Sequence, residues 1–248
     1  MLEETIRFPD PALETLERKS YRRGGETVNI GKYLSRWDLI LERCRNKKVL
    51  HLGCVGMTEA PLAEKIRAMR ADLTLHAHVK RVALQVVGID YDVAAVTELN
   101  RIGFREIVAG DVRNLDSLGL GNDFELVLCG DLIEHLDEPG RMLKSVGCCM
   151  SAQSELLITT PNAFGLPNLL RYCAGQAVEG GDHVVSFNIY TLRNLLARHG
   201  FRIDECYSCY DRRPSTRSER LFLTLGAAVL KMIPALGGTL AVAARKCD

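Results

Sequence analysis

An open α/β sheet, mostly parallel and with helices on both faces, is the fold this sequence predicts, and three observations predict it. Short apolar runs alternate with stretches of helical periodicity, which is the signature of strands joined by crossover helices. Three successive runs end in a small or acidic residue, at Gly53, Asp90 and Asp111. The chain has 248 residues, 47% of them hydrophobic and 25% charged, as expected of one large globular domain.

The elements follow in order. Ile30, Tyr33, Leu34, Trp37, Ile40 and Leu41 recur at helical spacing and predict a helical N-terminal cap over residues 1–44, ahead of a main domain over 45–248. Val49 to Leu52 reads as the first strand and Leu73 to Leu84 as a helix, with Met57 to Asp72 inserted between them. Gln85 to Ile89 is a strand ending at Asp90, Val93 to Arg101 its helix, and Glu106 to Ala109 a third strand. Phe124 to Cys129 follows as a strand, Pro139 to Met150 as a helix and Glu155 to Thr160 as a strand. Residues 161–188, rich in Pro, Asn and Gly, form a loop long enough to be functional. Thr191 to His199 is a helix stopped by Gly200, and Phe201 to Tyr207 is a sixth strand.

Leu221 to Ala244 is almost wholly apolar, but Pro234, Gly237 and Gly238 divide it into a helix over 221–233 and a strand, Thr239 to Ala244. A buried terminal pair suits this pattern better than a bilayer span; the apolar breadth of the helix also suits peripheral contact with a membrane surface.

Composition excludes several classes. A net charge of +1, with Arg212, Arg213, Arg217 and Arg220 as the one local basic excess, offers no nucleic-acid track. Nine cysteines, an odd number scattered through predicted strands and helices, fit a reducing cytoplasm, and the acidic N-terminus does not read as a secretory signal. Cys206 and Cys209 fall on opposite faces of a strand and Cys148-Cys149 has no ligand spacing, so no metal site is expected.

The strand ends carry the chemistry. In an open parallel sheet ligands bind beyond the carboxyl ends of the strands. Gly53 lets the backbone approach a ligand, Asp90 can accept two hydrogen bonds from a ribose diol, and Asp111 stands where an adenine would lie, with the Val112 amide beside it. Each aspartate alone could equally be a helix N-cap. Together they describe a nucleoside-shaped pocket.

In order and spacing, Val49 to Gly56, Val87 to Asp92, Gly110-Asp111-Val112, Phe124 to Leu136 and Leu156 to Asn162 resemble the class I S-adenosylmethionine-dependent methyltransferases. The likeness is greatest to the small-molecule branch of ubiquinone-pathway, sugar and natural-product O-methyltransferases. It covers about residues 45 to 210 and implies a Rossmann-like, seven-stranded sheet whose last strand, Thr239 to Ala244, is antiparallel. It also implies S-adenosylmethionine as cofactor, with Gly53 and Cys54 at its methionine part, Asp90 at the ribose, Asp111 and Val112 at the adenine, and Gly130 and Asp131 near the sulfonium; Gly56, taking over one glycine role, and Tyr91 are further cofactor-binding candidates. His51 stands where the family carries an acid, and Val55 and Met57 stand in place of glycines.

His135 is the candidate base for a hydroxyl acceptor; capping the next helix or bonding a backbone carbonyl is the alternative role. His183, in the long loop, is the second candidate catalytic residue. Tyr33 and Trp37 either close the pocket or belong to the core. The acceptor is expected to be a small molecule: a sugar, a phenol or a lipid-linked precursor. Two other readings stand beside this one. A nicotinamide-dependent oxidoreductase would want G-x-G-x-x-G and an acid about twenty residues on. A non-catalytic binding or scaffold relative would account for Val55 and Met57.

Overall fold

The computed structural model describes residues 30, 33–56, 59–176, 180–210, 230 and 232–247. An eight-stranded sheet runs through them: β1 (Tyr33–Ser35), β2 (Lys48–Leu52), β3 (Gln85–Asp90), β4 (Ile107–Ala109), β5 (Phe124–Gly130), β6 (Met150–Pro161), β7 (Phe201–Tyr210) and β8 (Thr239–Lys246). Their order is β1-β7-β8-β6-β5-β2-β3-β4. β8 runs antiparallel to both of its neighbours, and every other pairing is parallel. The seven expected strands are all present, the last of them antiparallel.

The eighth strand is the difference. Tyr33 to Ser35 pairs with Ser208 to Tyr210 at the sheet edge, and helix α1 is confined to Arg36–Cys44. Tertiary pairing has overridden a helical spacing carried by few residues. Residues 33–44 therefore belong to the sheet and its flank, whereas a separate cap had been expected up to residue 44.

Period-2 alternation sends successive strand residues to opposite faces. Leu50, Leu52, Val127 and Cys129 join the large core under helices α5 (Pro139–Cys148) and α7 (Ile189–Arg198). Val49, Leu126, Leu128 and Leu157 pack on the other face against Ile40 and Cys44 of α1 and Val79 of α3 (Leu75–Val82). Strands buried on both faces read as near-continuous apolar runs, which is why these were legible. Helix α4 (Val93–Arg101) follows β3 as expected.

Two segments carry more structure than their sequence suggested. The insertion contains helix α2 (Leu62–Arg70), and the long loop contains helix α6 (Leu166–Cys173). The 221–233 helix proposed for membrane contact and the arginines at 212–220 lie outside the described residues but for a few positions. Among the described residues no helix is long and apolar enough to cross a membrane.

From β2 the chain moves to β3 and β4 on one side, then returns to place β5 and β6 on the other. The crevice between the carboxyl ends of β2 and β5 is the topological switch point, where open α/β sheets bind ligands.

Candidate active site

A cavity of about 670 Å³ opens at that switch point. Gly53, Gly56, Asp90, Tyr91, Asp111, Val112, Asp131 and His135 line it, together with Lys65, Asp92, Arg113 and Asp182.

Its floor is the turn after β2. Gly53 has φ +65°, and its amide and that of Cys54 donate to the Ile89 carbonyl at 2.8 and 3.2 Å. The Val55 amide donates to Asp90 Oδ2 at 2.9 Å, and the Asp92 amide to Asp90 Oδ1 at 3.1 Å. Asp90 thus ties the turn to the end of β3 while keeping capacity for a second bond at each oxygen. Burial pushes its carboxyl above the usual range, against the pull of these two amides.

Val55, at an expected glycine position, is buried with Met69 of α2, Ala77 and Ala95. This side chain anchors the insertion. Helix α2 in turn delivers Lys65, itself buried, whose Nζ donates to Asp92 Oδ2 at 2.8 Å. The hydrogen bond from Lys65 holds the Asp92 carboxyl below its ordinary range, and Asp92 also caps α4 through the Ala95 amide.

Two placements differ from the sequence reading, and a third residue has a competing partner. Cys54 turns its thiol into the core beside Gly88, where a Cβ would meet Sγ at 2.6 Å, so it does not line the cavity. Gly130 faces Leu75 and Thr159 and is likewise not part of the wall, which at that strand end is formed by Asp131, Leu132 and His135. Asp111 is engaged by Arg113, whose Nη2 donates to Oδ2 at 2.9 Å and whose amide donates to Oδ1 at 2.8 Å. The Arg113 guanidinium keeps the Asp111 carboxyl low, and any adenine amine would share this carboxylate.

The opposite wall comes from the end of β5 and the 180–187 loop. Asp131 adopts φ +48°, accepts from Thr159 Oγ1 at 2.9 Å and forms an ion pair with Arg36 of α1. His135 Nδ1 lies 3.2 Å from both the carbonyl and the carboxylate of Asp182. The backbone-carbonyl contact weighed for His135 is therefore present, alongside a carboxylate. The rings of His135 and His183 meet edge to face, 4.8 Å between centroids. Beside them Glu134 is 1% exposed, its Oε2 accepting from Thr160 Oγ1 at 3.0 Å. The Glu134 carbonyl takes the amides of Val184 and Val185 at 2.8 and 3.0 Å, which fastens the loop to the strand end. Trp37 packs edge to face on His78, 5.1 Å away.

Glu134, Arg36 and Lys65 escaped the sequence reading. Glu134 sits inside the Ile-Glu-His-Leu segment, and its adjacency to His135 was the available signal; nothing local marks Arg36 or Lys65 as a site residue.

A family model described as a methyltransferase domain matches residues 33–205. The chain belongs to the class I methyltransferases. The family's cofactor is S-adenosylmethionine. Among solved structures, this methyltransferase is similar to a putative methyltransferase from Bacillus halodurans, at 15% identity over 86% of this chain and 98% of that one, with a TM-score of 0.51. It is also similar to a chain in the complex of a methyltransferase activator with a putative methyltransferase of Haloferax volcanii: 14% identity, 85% and 88% coverage, TM-score 0.52. A plantazolicin methyltransferase shares 12% identity over 96% and 92% of the two chains, with a TM-score of 0.51. No curated protein sequence matches this methyltransferase.

The cavity fits the family's cofactor. Its volume lies in the range of small-molecule sites. Its polar groups are a turn that follows a glycine with positive φ, a buried carboxylate at the end of β3 and a second carboxylate at the end of β4.

Proposed function

We propose that the protein transfers a methyl group from S-adenosylmethionine to a hydroxyl of a small molecule. The observation that carries this reading is the shared position of His135. It lines the cofactor-sized cavity and at the same time contacts Asp182 and His183 of the loop facing the acceptor side.

In this reading the backbone at Gly53 and Gly56 accommodates the methionine part, Asp90 and Tyr91 hold the ribose, and Asp111 with Val112 faces the adenine. Asp131 stands nearest the sulfonium end. Cys54 and Gly130 act behind the wall by packing. When bound, the cofactor supplies an already activated methyl group. The chain's task is then to hold the acceptor oxygen in line and to help remove its proton. His135 and His183 are the residues proposed for that task. The 161–188 segment and α1 would surround the acceptor, for which a sugar, a phenol and a lipid-linked precursor are the chemical classes put forward. The protein is proposed to work in the cytoplasm, as one methyltransferase domain, without nucleic acid.

Calorimetry with S-adenosylhomocysteine and with NAD tests the reading. Binding of the former alone supports it. Binding of NAD alone would return the oxidoreductase, and binding of neither would leave a scaffold. With an accepted substrate in hand, His135→Ala should spare cofactor binding and lower turnover by about 10²–10⁴-fold. Full activity in that variant would remove His135 from the chemistry.

A further inference from the structure

Glu134, His135 and His183 each offer a donor atom within 4.8 Å of the other two. We propose that they form a binding site for a divalent first-row transition cation, zinc in the first instance. Two imidazoles and one carboxylate are a donor set that zinc accepts with three protein ligands, leaving a fourth position open.

Four features support the assignment. Glu134 Oε1 is buried with no hydrogen-bond partner among the described residues, while Oε2 has Thr160. A buried carboxylate oxygen left unsatisfied costs stability, and a cation would satisfy it. His135 presents Nδ1 to Asp182 at 3.2 Å, so coordination falls to Nε2; a carboxylate behind a histidine is how metal-binding imidazoles are commonly oriented. The two amides that join the Glu134 carbonyl to Val184 and Val185 fix the ligand at position 183 relative to the pair at 134 and 135. Finally, His135 lines the large cavity, giving a path from solvent.

Bond lengths of 2.0–2.1 Å place tetrahedral donors about 3.4 Å apart. The three donor atoms lie within 4.8 Å of one another, so a bound cation would draw the widest pair together by about 1.4 Å. The expectation of no metal site rested on cysteine pairs. These donors are instead a carboxylate and two imidazoles, brought together by the return of the long loop.

The functional consequence rests on the methyltransferase reading above. The open position would hold the acceptor oxygen and acidify its proton, which would pass to solvent water in the large cavity as the oxygen takes the methyl group; His135 would then assist proton removal as a ligand in place of direct proton acceptor.

The test uses the full chain after chelation, titrated with Co²⁺ and followed by visible absorption and thermal melting. Expected are one equivalent bound, a d–d spectrum free of thiolate charge transfer, and a raised melting temperature. Glu134→Gln and His183→Gln should each weaken binding by about 100-fold or more, and Asp182→Asn by about 10–100-fold. If Glu134→Gln fails to fold, the variants at 183 and 182 decide. No bound Co²⁺, a thiolate spectrum, or undiminished affinity in His183→Gln would overturn the site. S-adenosylhomocysteine binding measured on the same samples separates the two claims: if it persists without Co²⁺ binding, only the cation is lost; if it is absent, the methyltransferase reading fails.

Discussion

The Nδ1 atoms of His51 and His76 lie 3.1 Å apart, both rings buried beneath the turn that floors the cavity. His76 continues toward Glu106, 3.8 Å from its Nε2, and Glu106 also takes Lys80 at 2.7 Å. Burial, reinforced by His76, drives the His51 pKa well below its ordinary 6.5. Burial alone would raise Glu106, but His76 and Lys80 hold it at about 2.

A pH dependence of stability follows from His51. Below pH 6.5 the unfolded chain takes up a proton that the folded chain refuses, so stability present above 6.5 declines as pH falls, by about 1.4 kcal/mol per unit for one proton. Urea titrations between pH 7 and 5 should give His51→Leu a slope shallower by that amount. Equal slopes in parent and variant would show that His51 does not stay neutral.

Asp90 has a double duty, to the Val55 and Asp92 amides and to the cofactor. Asp90→Ala should lower S-adenosylhomocysteine affinity by roughly 100-fold, since hydrogen bonds to charged groups contribute about 1.5–3 kcal/mol each. Asp90→Asn keeps one acceptor oxygen and should lose less. Calorimetry showing Asp90→Ala within about threefold of the parent would contradict the assignment.

Lys65 joins the inserted helix to the cavity through Asp92. Lys65→Met keeps the buried stem and removes the charge that holds Asp92 in the cavity wall, so S-adenosylhomocysteine should bind about tenfold more weakly. Unchanged affinity would mean that α2 covers the site without contributing to it.

Gly88 of β3 packs against the side chains of Cys54 and His76. A Cβ there would come within 2.6 Å of Cys54 Sγ and 2.8 Å of His76 Cε1, both buried. Gly88→Ala should therefore cost about 1–3 kcal/mol by overpacking, measured as a shifted urea midpoint. A neutral effect would indicate that the His51–His76 pair repacks freely.

The strands were legible because β-branched and leucine runs ending in Gly or Asp announce a doubly covered parallel sheet, and Gly53 and Asp90 could be placed because strand ends are where such sheets bind. Tyr33 to Ser35 was not legible as a strand, since its spacing suits a helix and only β7 makes it extended. Helix α2 hid because one of its inward residues is Lys65, a charge that looks solvated until Asp92 is seen beside it. Side-chain competition was out of reach as well: no spacing shows that Arg113 occupies Asp111, or that Glu134 lies beside two histidines, one of them far along the chain in the long loop.

β8 enters between β6 and β7 with hydrogen bonds to both. During synthesis two strand edges therefore stay open until residues 239–246 leave the ribosome, and open edges invite pairing with other chains. Newly made protein carrying β2 to β7 would depend on chaperone shielding, and a stop codon shortly before residue 239 would yield a chain prone to aggregate, even though every cavity-lining residue had already been translated.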